Sequence, residues 1–365
     1  SGWAQNSLSS LNAGLILTSL IIDGIIAGVG TILTFLPNIA ILFLALAFLE
    51  DSGYMARVTY VMNGAMNKIG LSGRAFIPML LGFGCTVPAI MATRTLEDEK
   101  DRRKTILITP FMSCSAKIPI YVLLSSLFFG SYASLAALSM YVIGLVAGLL
   151  TAFVATKIEN KAEKSKSLDR KPEVNQLLIE LPEYKTPNAY SIFIYVWENV
   201  KAYLSKAGNT IFLASVILWF VLRFGTTGYV EDMSLSFGAA IGRFLVPILK
   251  PAGLGFWQIG VSLIAGLAAK EVVVSSMGIL FGIVNIESAL GLSTMHQTLG
   301  AIGFGALNAY SMMIFVLFYT PCVAALAVIA KELKSVKWTT IVFLFQLVFA
   351  WTASFLVYQI ASLFI

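Results

Sequence analysis

The chain has 365 residues, of which 58% are hydrophobic and only 12% are charged, and its mean hydropathy is +0.84. Because a soluble domain carries about 25% charged residues, this composition excludes an ordinary soluble protein and predicts an all-α polytopic membrane protein. The formal net charge of +6 comes from basic residues in short loops, which is typical of cytoplasmic loops and does not indicate nucleic-acid binding. The three cysteines lie far apart in apolar runs and do not indicate a disulfide framework.

Apolar runs predict the membrane segments in chain order. Residues 1–13 are polar, and the run from 14 to 49 contains Pro37, which we expect to break it. Further spans are predicted at 75–93, 105–129, 132–156, 207–224, 256–282, 306–330 and 338–365. The hydrophilic segment 157–188 is expected to be a cytoplasmic loop, and 189–206 an amphipathic helix at the membrane surface.

Loop charge predicts a partial topology. The basic turn 94–104 is placed inside, the uncharged turn 129–131 outside, the 157–188 loop inside and the loop after residue 224 outside. Counting on places the turn 331–337 outside, although it carries three lysines. One later segment is therefore expected not to cross fully, and we assign 283–305 as the re-entrant piece.

Three apolar runs each carry a cysteine beside a proline-induced break. Proline cannot donate to the helical ladder, so it frees the carbonyl four residues earlier. The predicted pairs are Pro88 with Gly84, Pro119 with Ser115, and Pro321 with Leu317. Unpaired carbonyls in hydrocarbon are costly, so these breaks are expected to face protein or a water-filled cavity.

Sulfur ligands suit soft and borderline metals, and backbone and hydroxyl oxygens can complete a weak shell. A permeation site has to bind weakly enough to release its ion. The candidate metal-binding residues are Cys85, Cys114, Cys322, Glu271, Met112, Ser113 and Thr320, and the candidate helix-break residues are Gly84, Pro88, Ser115, Pro119 and Pro321. The structural alternative is a set of kinked packing helices with buried cysteines.

Ionisable residues within apolar runs are costly and indicate function. Glu271 is expected to face the pathway while Lys270 pairs elsewhere, the alternative being a structural ion pair. Lys117 would repel a metal ion beside Cys114, so we expect it to snorkel or to pair with a carboxylate. Glu50, Asp51 and Met55 form a candidate cation entrance, the alternative being a solvated helix end.

Six short segments, spread over nearly the whole chain, carry a family pattern. They are LEDSGYMAR (49–57), GFGCTVPAIMATRT (82–95), PFMSCSAKIPIY (110–121), ELPEYKTP (180–187), AKEVVVSS (269–276) and YTPCVAALA (319–327). In this order they resemble the membrane domain of the bacterial ferrous-iron transporter family FeoB. The family's gate cysteines fall on Cys85 and Cys114, and its later Thr-Pro-Cys falls on residues 320–322.

The resemblance implies two Gate-type repeats with interrupted helices and about 8–10 membrane segments, in the bacterial inner membrane. The expected organisation is an N-terminal segment 1–37, a first Gate repeat 38–156, a middle segment 157–206, a second Gate repeat 207–332 and a C-terminal helix 333–365. The implied role is transport of Fe(II), with transient ligation by thiols and carbonyls, and not enzymatic catalysis. The expected surroundings are the lipid bilayer. Whether the chain also forms a homo-oligomer is left open.

Similar family members carry an N-terminal GTP-binding domain that this sequence does not contain. We therefore expect no cofactor in this chain, and GTP with Mg²⁺ only in such a domain, in cis or on a separate chain. The small proteins FeoA and FeoC are implied as partners. Two other functions stay open: a Gate-fold carrier of an organic solute such as a nucleoside, and a membrane thiol–disulfide enzyme using Cys85 and Cys114, although it lacks a CxxC motif.

Overall fold

A computed structural model describes residues 15–164, 184–205, 209–226, 228–230, 233–283 and 288–363. The described chain is 83% helical, which confirms the predicted helical polytopic fold. One short antiparallel strand pair, β1 (Phe224–Gly225) and β2 (Gly228–Tyr229), closes a loop. The predicted polar start at 1–13 and the loop residues 165–183 lie outside the described residues.

The helices follow one another with short connections. The first half contains α1 Leu15–Ser19, a π-helical segment Leu20–Ile26, α2 Ala27–Asp51, α3 Tyr54–Lys68, α4 Phe76–Gly82, α5 Thr86–Ala92, α6 Glu99–Ile108, α7 Ile118–Phe128 and α8 Ala133–Lys164. The second half contains α9 Ala189–Tyr203, α10 Asn209–Arg223, α11 Phe237–Leu249, α12 Trp257–Ala268, α13 Val272–Leu280, α14 Ala289–Ala301, α15 Ala306–Phe318, α16 Val323–Leu333 and α17 Val336–Ser362. The amphipathic helix predicted at 189–206 is α9.

Four stretches of the described chain are long and apolar enough to cross a membrane, or six if each of two bent helix pairs counts as one span. Two of the four, Glu99–Phe128 and Ala306–Leu333, contain a helix break, and two, Gly130–Lys161 and Val336–Ser362, do not. The hydropathic cores of the broken spans are 67% and 78% buried, against 22% for each unbroken span. The broken spans therefore form the centre of the protein, and the unbroken ones lie towards the lipid.

Two of the predicted spans, 75–93 and 256–282, form pairs of short helices and not single long helices. Helix α4 packs against α5, and α12 packs against α13, so each pair forms a re-entrant hairpin. The chain reverses at Cys85 and at Ala269, whose extended φ angles are −150° and −154°. Each arm has 7–12 residues, far fewer than the ~20 that span a bilayer.

One smaller expectation was also wrong. Helix α2 continues through Pro37, because a single lost backbone hydrogen bond does not end a helix that neighbouring helices support. The described part of 283–305 forms helix α14, whose 13 residues are too few to cross a bilayer, so its assignment as a re-entrant piece stays a prediction beside the two hairpins.

One end of the molecule, here called the basic face, is formed by the turns 69–75, 93–104 and 331–338. Arg94 Nε donates to both carboxylate oxygens of Glu332 at 2.9 Å, and the Arg103 guanidinium lies over the ring of Trp338. The turn 331–337 therefore lies on the same side as 94–104, and the outside position obtained by counting is wrong. The count failed because it treated the hairpin α12–α13 as a complete span.

The opposite end, here called the aromatic face, is formed by residues 128–131, 250–256 and 302–305. The rings of Phe128 and Phe256 each lie 5.6 Å from that of Phe304, centroid to centroid. The hairpin α4–α5 starts from the basic face, where Arg74 pairs with Glu97. The hairpin α12–α13 starts beside Phe256, so the two hairpins enter from opposite faces.

Candidate ion pathway at four helix breaks

All four helix breaks meet at one small cavity of about 70 Å³ near the centre of the protein. Two are the hairpin tips, Phe83–Cys85 and Ala269–Glu271, and two interrupt the broken spans, at Met112–Cys114 and Tyr319–Cys322. The break residues that line the cavity are Gly84, Cys85, Cys114, Ala269, Lys270, Glu271, Pro321 and Cys322. The site therefore combines segments that are up to 238 residues apart in sequence, because 322 − 84 = 238.

The first repeat joins its two breaks through a backbone oxygen. The carbonyl of Gly84 has no helical donor, because it lies before the N-cap of α5, Cys85, and Pro88 occupies the first helical turn. This oxygen accepts from the Ser115 backbone N–H at 3.1 Å and from Ser115 Oγ at 2.9 Å. A Cβ at Gly84 would lie 3.0 Å from Leu42 Cδ1, so the Leu42 side chain would have to shift slightly. The freed carbonyl is thus already hydrogen-bonded and holds the hairpin tip against the broken span.

The second repeat has an equivalent connection through a lysine. Lys270 Nζ donates to the carbonyl of Thr320 at 2.7 Å and lies over the ring of Tyr319. Lys270 is 2% exposed. The prediction that Lys270 finds a partner away from Glu271 agrees with this contact, although the partner is a backbone oxygen and not a carboxylate.

A third contact links the two repeats to each other. Lys117, 2% exposed, donates from Nζ to the carbonyl of Leu317 at 2.7 Å. Pro321 is the residue that leaves this carbonyl without its helical donor. Lys117 also donates to the carbonyls of Pro110 and Met112. The expectation that Lys117 snorkels or pairs with a carboxylate is therefore wrong, because the nearby carbonyls satisfy its donors inside the protein.

Some of the predicted metal-binding residues come together and others do not. Cys85, Cys114, Cys322 and Glu271 all line the cavity, and Glu271 Oε1 is buried with no hydrogen-bond partner among the described residues. Met112, Ser113 and Thr320 are buried but are not lining residues. Ser113 Oγ instead donates to the Tyr121 hydroxyl at 3.0 Å. Pro88 and Pro119 lie within the helices that follow the breaks, while Ser115 and Pro321 reach the cavity.

The cysteines and Glu271 share the cavity without forming a closed metal cage. In the described ranges, no three His, Cys, Asp or Glu side chains are arranged to hold a metal ion. All three cysteines are free thiols. An open set of ligands around a small cavity fits an ion in transit better than a tightly bound structural metal.

The candidate entrance at Glu50, Asp51 and Met55 lies away from this cavity. Glu50 and Asp51 line a separate and larger space of about 380 Å³ between the end of α2 and the start of α9. Asp51 Oδ2 accepts from the Asn188 backbone N–H at 2.7 Å, so it fixes the loop before α9. Met55 packs against a hydrophobic cluster and does not line that space.

Sequence patterns match the chain to two family profiles. A profile described as "Nucleoside recognition", named Gate, matches residues 32–128 and 204–336. A second, described as "Ferrous iron transport protein B C terminus", matches residues 137–199 between the two Gate segments. The chain belongs to the FeoB family. No solved structure matches it significantly.

Curated relatives resemble the FeoB chain over almost its whole length. A protein of Staphylococcus aureus strain MSSA476 named "Fe(2+) transporter FeoB" is 43% identical over 96% of this chain and 50% of its own length. A Methanocaldococcus jannaschii protein of the same name is 39% identical over 99% of this chain and 52% of its own length. The FeoB chain studied here thus spans about half the length of the curated relatives it matches, and corresponds to their C-terminal membrane half.

Proposed function

We propose that this chain provides the path along which Fe(II) crosses the bacterial inner membrane. One observation carries the proposal: three thiols and one carboxylate, contributed by all four helix breaks, line the same cavity. Relatives that match nearly the whole chain are named Fe(2+) transporters, which supports Fe(II) as the ion.

In the proposed mechanism the ion is held briefly by side chains and then released. Cys85, Cys114 and Cys322 supply sulfur, which suits a borderline metal, and Glu271 supplies an oxygen that has no hydrogen-bond partner within the part of the chain that the structure describes. Because these ligands belong to different hairpins and spans, a small movement of one repeat against the other makes or breaks the set. The carbonyls of Gly84 and Leu317 already accept hydrogen bonds, so we assign ligation mainly to the side chains.

The size of the cavity disfavours an organic solute. Pockets for small organic ligands measure roughly 300–1,000 Å³, whereas this cavity measures about 70 Å³. A desolvated metal ion needs much less room than a nucleoside. For the same reason we propose a metal ion and not a nucleoside as the substrate, although the Gate profile is described as "Nucleoside recognition".

Two partners belong to the proposal. We assign the energy source to a GTPase domain outside this chain, and no nucleotide site to this chain itself. We also infer that FeoA acts with it, because a Porphyromonas gingivalis relative, 33% identical over this whole chain, is named an "Fe(2+) transport protein A/Fe(2+) transporter FeoB fusion protein". FeoC and self-association stay predictions.

The test is uptake of radioactive Fe(II) by bacterial cells that rely on this protein for ferrous iron. The variant C85S/C114S removes two sulfur ligands, and E271Q removes the carboxylate charge. Loss of a group that only orients a metal ligand typically costs 10–100-fold in affinity or activity, so loss of a ligand itself is expected to lower uptake at least tenfold in each variant. The matched control is E159Q, a carboxylate on the basic face that pairs with Lys104, and it keeps wild-type uptake.

Unchanged Fe(II) uptake in both C85S/C114S and E271Q, with normal amounts of protein in the membrane, contradicts the proposed ligand set. Uptake of a nucleoside in place of iron favours the organic-solute carrier. A disulfide between Cys85 and Cys114 that forms and breaks during turnover favours the thiol–disulfide enzyme.

A further inference from the structure

The contacts of Lys117 resemble those of a bound cation. Its Nζ lies 2.7 Å from the carbonyl oxygen of Leu317, 3.1 Å from that of Pro110 and 3.4 Å from that of Met112. Among the described residues it forms no ion pair with a carboxylate. A positively charged group is therefore coordinated by backbone oxygens alone, as selectivity filters coordinate permeating ions.

The number of acceptors around this lysine matches the number of donors on an ammonium group. An ammonium group has three N–H donors, and three carbonyl oxygens face Nζ. A neutral amine has two N–H donors, so one of the three buried oxygens would remain unpaired. Leaving a buried carbonyl unpaired is unfavourable, and this favours the ammonium form.

The position of this ammonium matters as much as its charge. Lys117 lines the same cavity as the three cysteines and Glu271. It belongs to the broken span of the first repeat, while Leu317 belongs to the broken span of the second, 200 residues away. The group thus occupies the boundary between the repeats, next to the proposed ion path.

We propose that the Lys117 ammonium is a tethered cation that fills a carbonyl-lined position between the repeats and keeps monovalent cations out of the pathway. The proposal rests on the proposed function only in treating this cavity as part of a pathway. A free monovalent cation can neither use the three oxygens while the lysine holds them nor approach without repulsion. A divalent ion meets twice the electrostatic repulsion from this charge, so it enters only because the thiol and carboxylate ligands that line the same cavity offset that repulsion.

Lys270 provides an internal comparison. It lines the same cavity, but its Nζ donates to a single carbonyl, that of Thr320, within its own repeat. Replacing Lys270 exposes one oxygen, whereas replacing Lys117 exposes three between the repeats. We therefore assign the exclusion of cations chiefly to Lys117.

The experiment measures entry of Tl⁺ into vesicles that contain the purified protein, followed by quenching of an enclosed fluorescent dye, with no iron present. The neutral variants K117M and K117Q remove the charge, K117R keeps it, and K270M is the matched control. At about 6 Å and an effective dielectric constant near 20, a unit charge lowers the occupancy of a monovalent cation roughly 100-fold. Tl⁺ entry is expected to rise by about this factor in K117M and K117Q, less in K270M, and not in K117R.

Three results overturn the proposal. One is a wild-type rate of Tl⁺ entry in folded K117M and K117Q. Another is entry through K117R as fast as through K117M, which makes charge irrelevant. The last is loss of folding in both neutral variants, which assigns Lys117 a purely structural role. If Tl⁺ enters as expected while Fe(II) uptake does not depend on the cysteines, the proposed function fails and the role of Lys117 stands.

Discussion

The ion pair between Arg94 and Glu332 predicts that removing one partner destabilises the protein more than removing the other. It joins the turn after α5, in the first hairpin, to the end of α16, in the second broken span. The side chain of Glu332 is 7% exposed and that of Arg94 is 46% exposed. Removing one partner leaves the other without its counterion, so the loss of stability depends on whether the remaining charge is buried or exposed.

In R94M the buried carboxylate of Glu332 loses its partner, and stranding a buried charge costs about 3–5 kcal/mol. In E332Q the remaining guanidinium is half exposed and water solvates it, so the expected loss is about 1 kcal/mol. R94M is therefore expected to be the less stable variant by about 2–4 kcal/mol. Replacing both residues in R94M/E332L removes the stranded charge and is expected to recover most of the loss, since buried pairs are replaceable by apolar groups.

The measurement is thermal unfolding of the purified protein in detergent micelles, with the four proteins compared at one pH and salt concentration. The matched control is R74M, which breaks an ion pair whose carboxylate, Glu97, is 81% exposed, and it is expected to cost less than about 1 kcal/mol. Equal losses in R94M and R74M refute the reasoning, and so does a double variant no more stable than R94M.

Two further predictions concern Gly70, on the basic face, and Tyr195, in α9. G70A is expected to destabilise the protein by about 3 kcal/mol, because Gly70 has φ +77° and a Cβ would collide with Thr156. Half-burial, reinforced by the nearby Glu50 carboxylate, raises the pKa of Tyr195 to about 12. Since this value lies above the unfolded value of ~10, the neutral phenol stabilises the fold below that pH, and the contribution is lost as the pH rises towards 12.

The stability of G70A is measured by thermal unfolding, with G130A as the control. Gly130 has φ +48° but open space around it, so G130A is expected to lose only the ~1–2 kcal/mol that the backbone conformation costs. Comparable losses in the two variants contradict the steric argument. The pKa of Tyr195 is measured by ultraviolet absorbance titration of the wild type minus Y195F. A difference curve with its midpoint near pH 10 rules out the raised pKa.

Composition and proline positions predicted much of this structure for direct physical reasons. Long apolar runs with few charges occur in few settings other than a bilayer, and a proline four residues after a carbonyl removes its donor wherever the helix lies. The breaks beside Cys85, Cys114 and Cys322 were therefore predictable from local sequence. Their shared cavity was suggested by the repetition of the pattern in the two halves.

Other features depend on contacts that no local pattern contains. The apolar lengths of 75–93 and 256–282 suit a full span as well as a hairpin, and only packing between the arms distinguishes the two. The Leu317 carbonyl that accepts from Lys117 lies 200 residues away, so this contact cannot be inferred from the local sequence. Asp51 likewise contacts Asn188 across the hydrophilic loop, 137 residues away, while the candidate entrance that it forms with Glu50 and Met55 stays a prediction.

The way in which the freed carbonyls are paired has a consequence for biogenesis. The oxygen that Pro321 releases finds its donor, Lys117, on the other half of the molecule. When only the first half of the chain has been inserted, Lys117 lacks one of its carbonyl acceptors. When the second half is present alone, the Leu317 carbonyl has no donor in the hydrocarbon, which is energetically costly. The halves are thus expected to mature together rather than one after the other, and separately expressed halves are expected to survive membrane quality control only when both are made in the same cell.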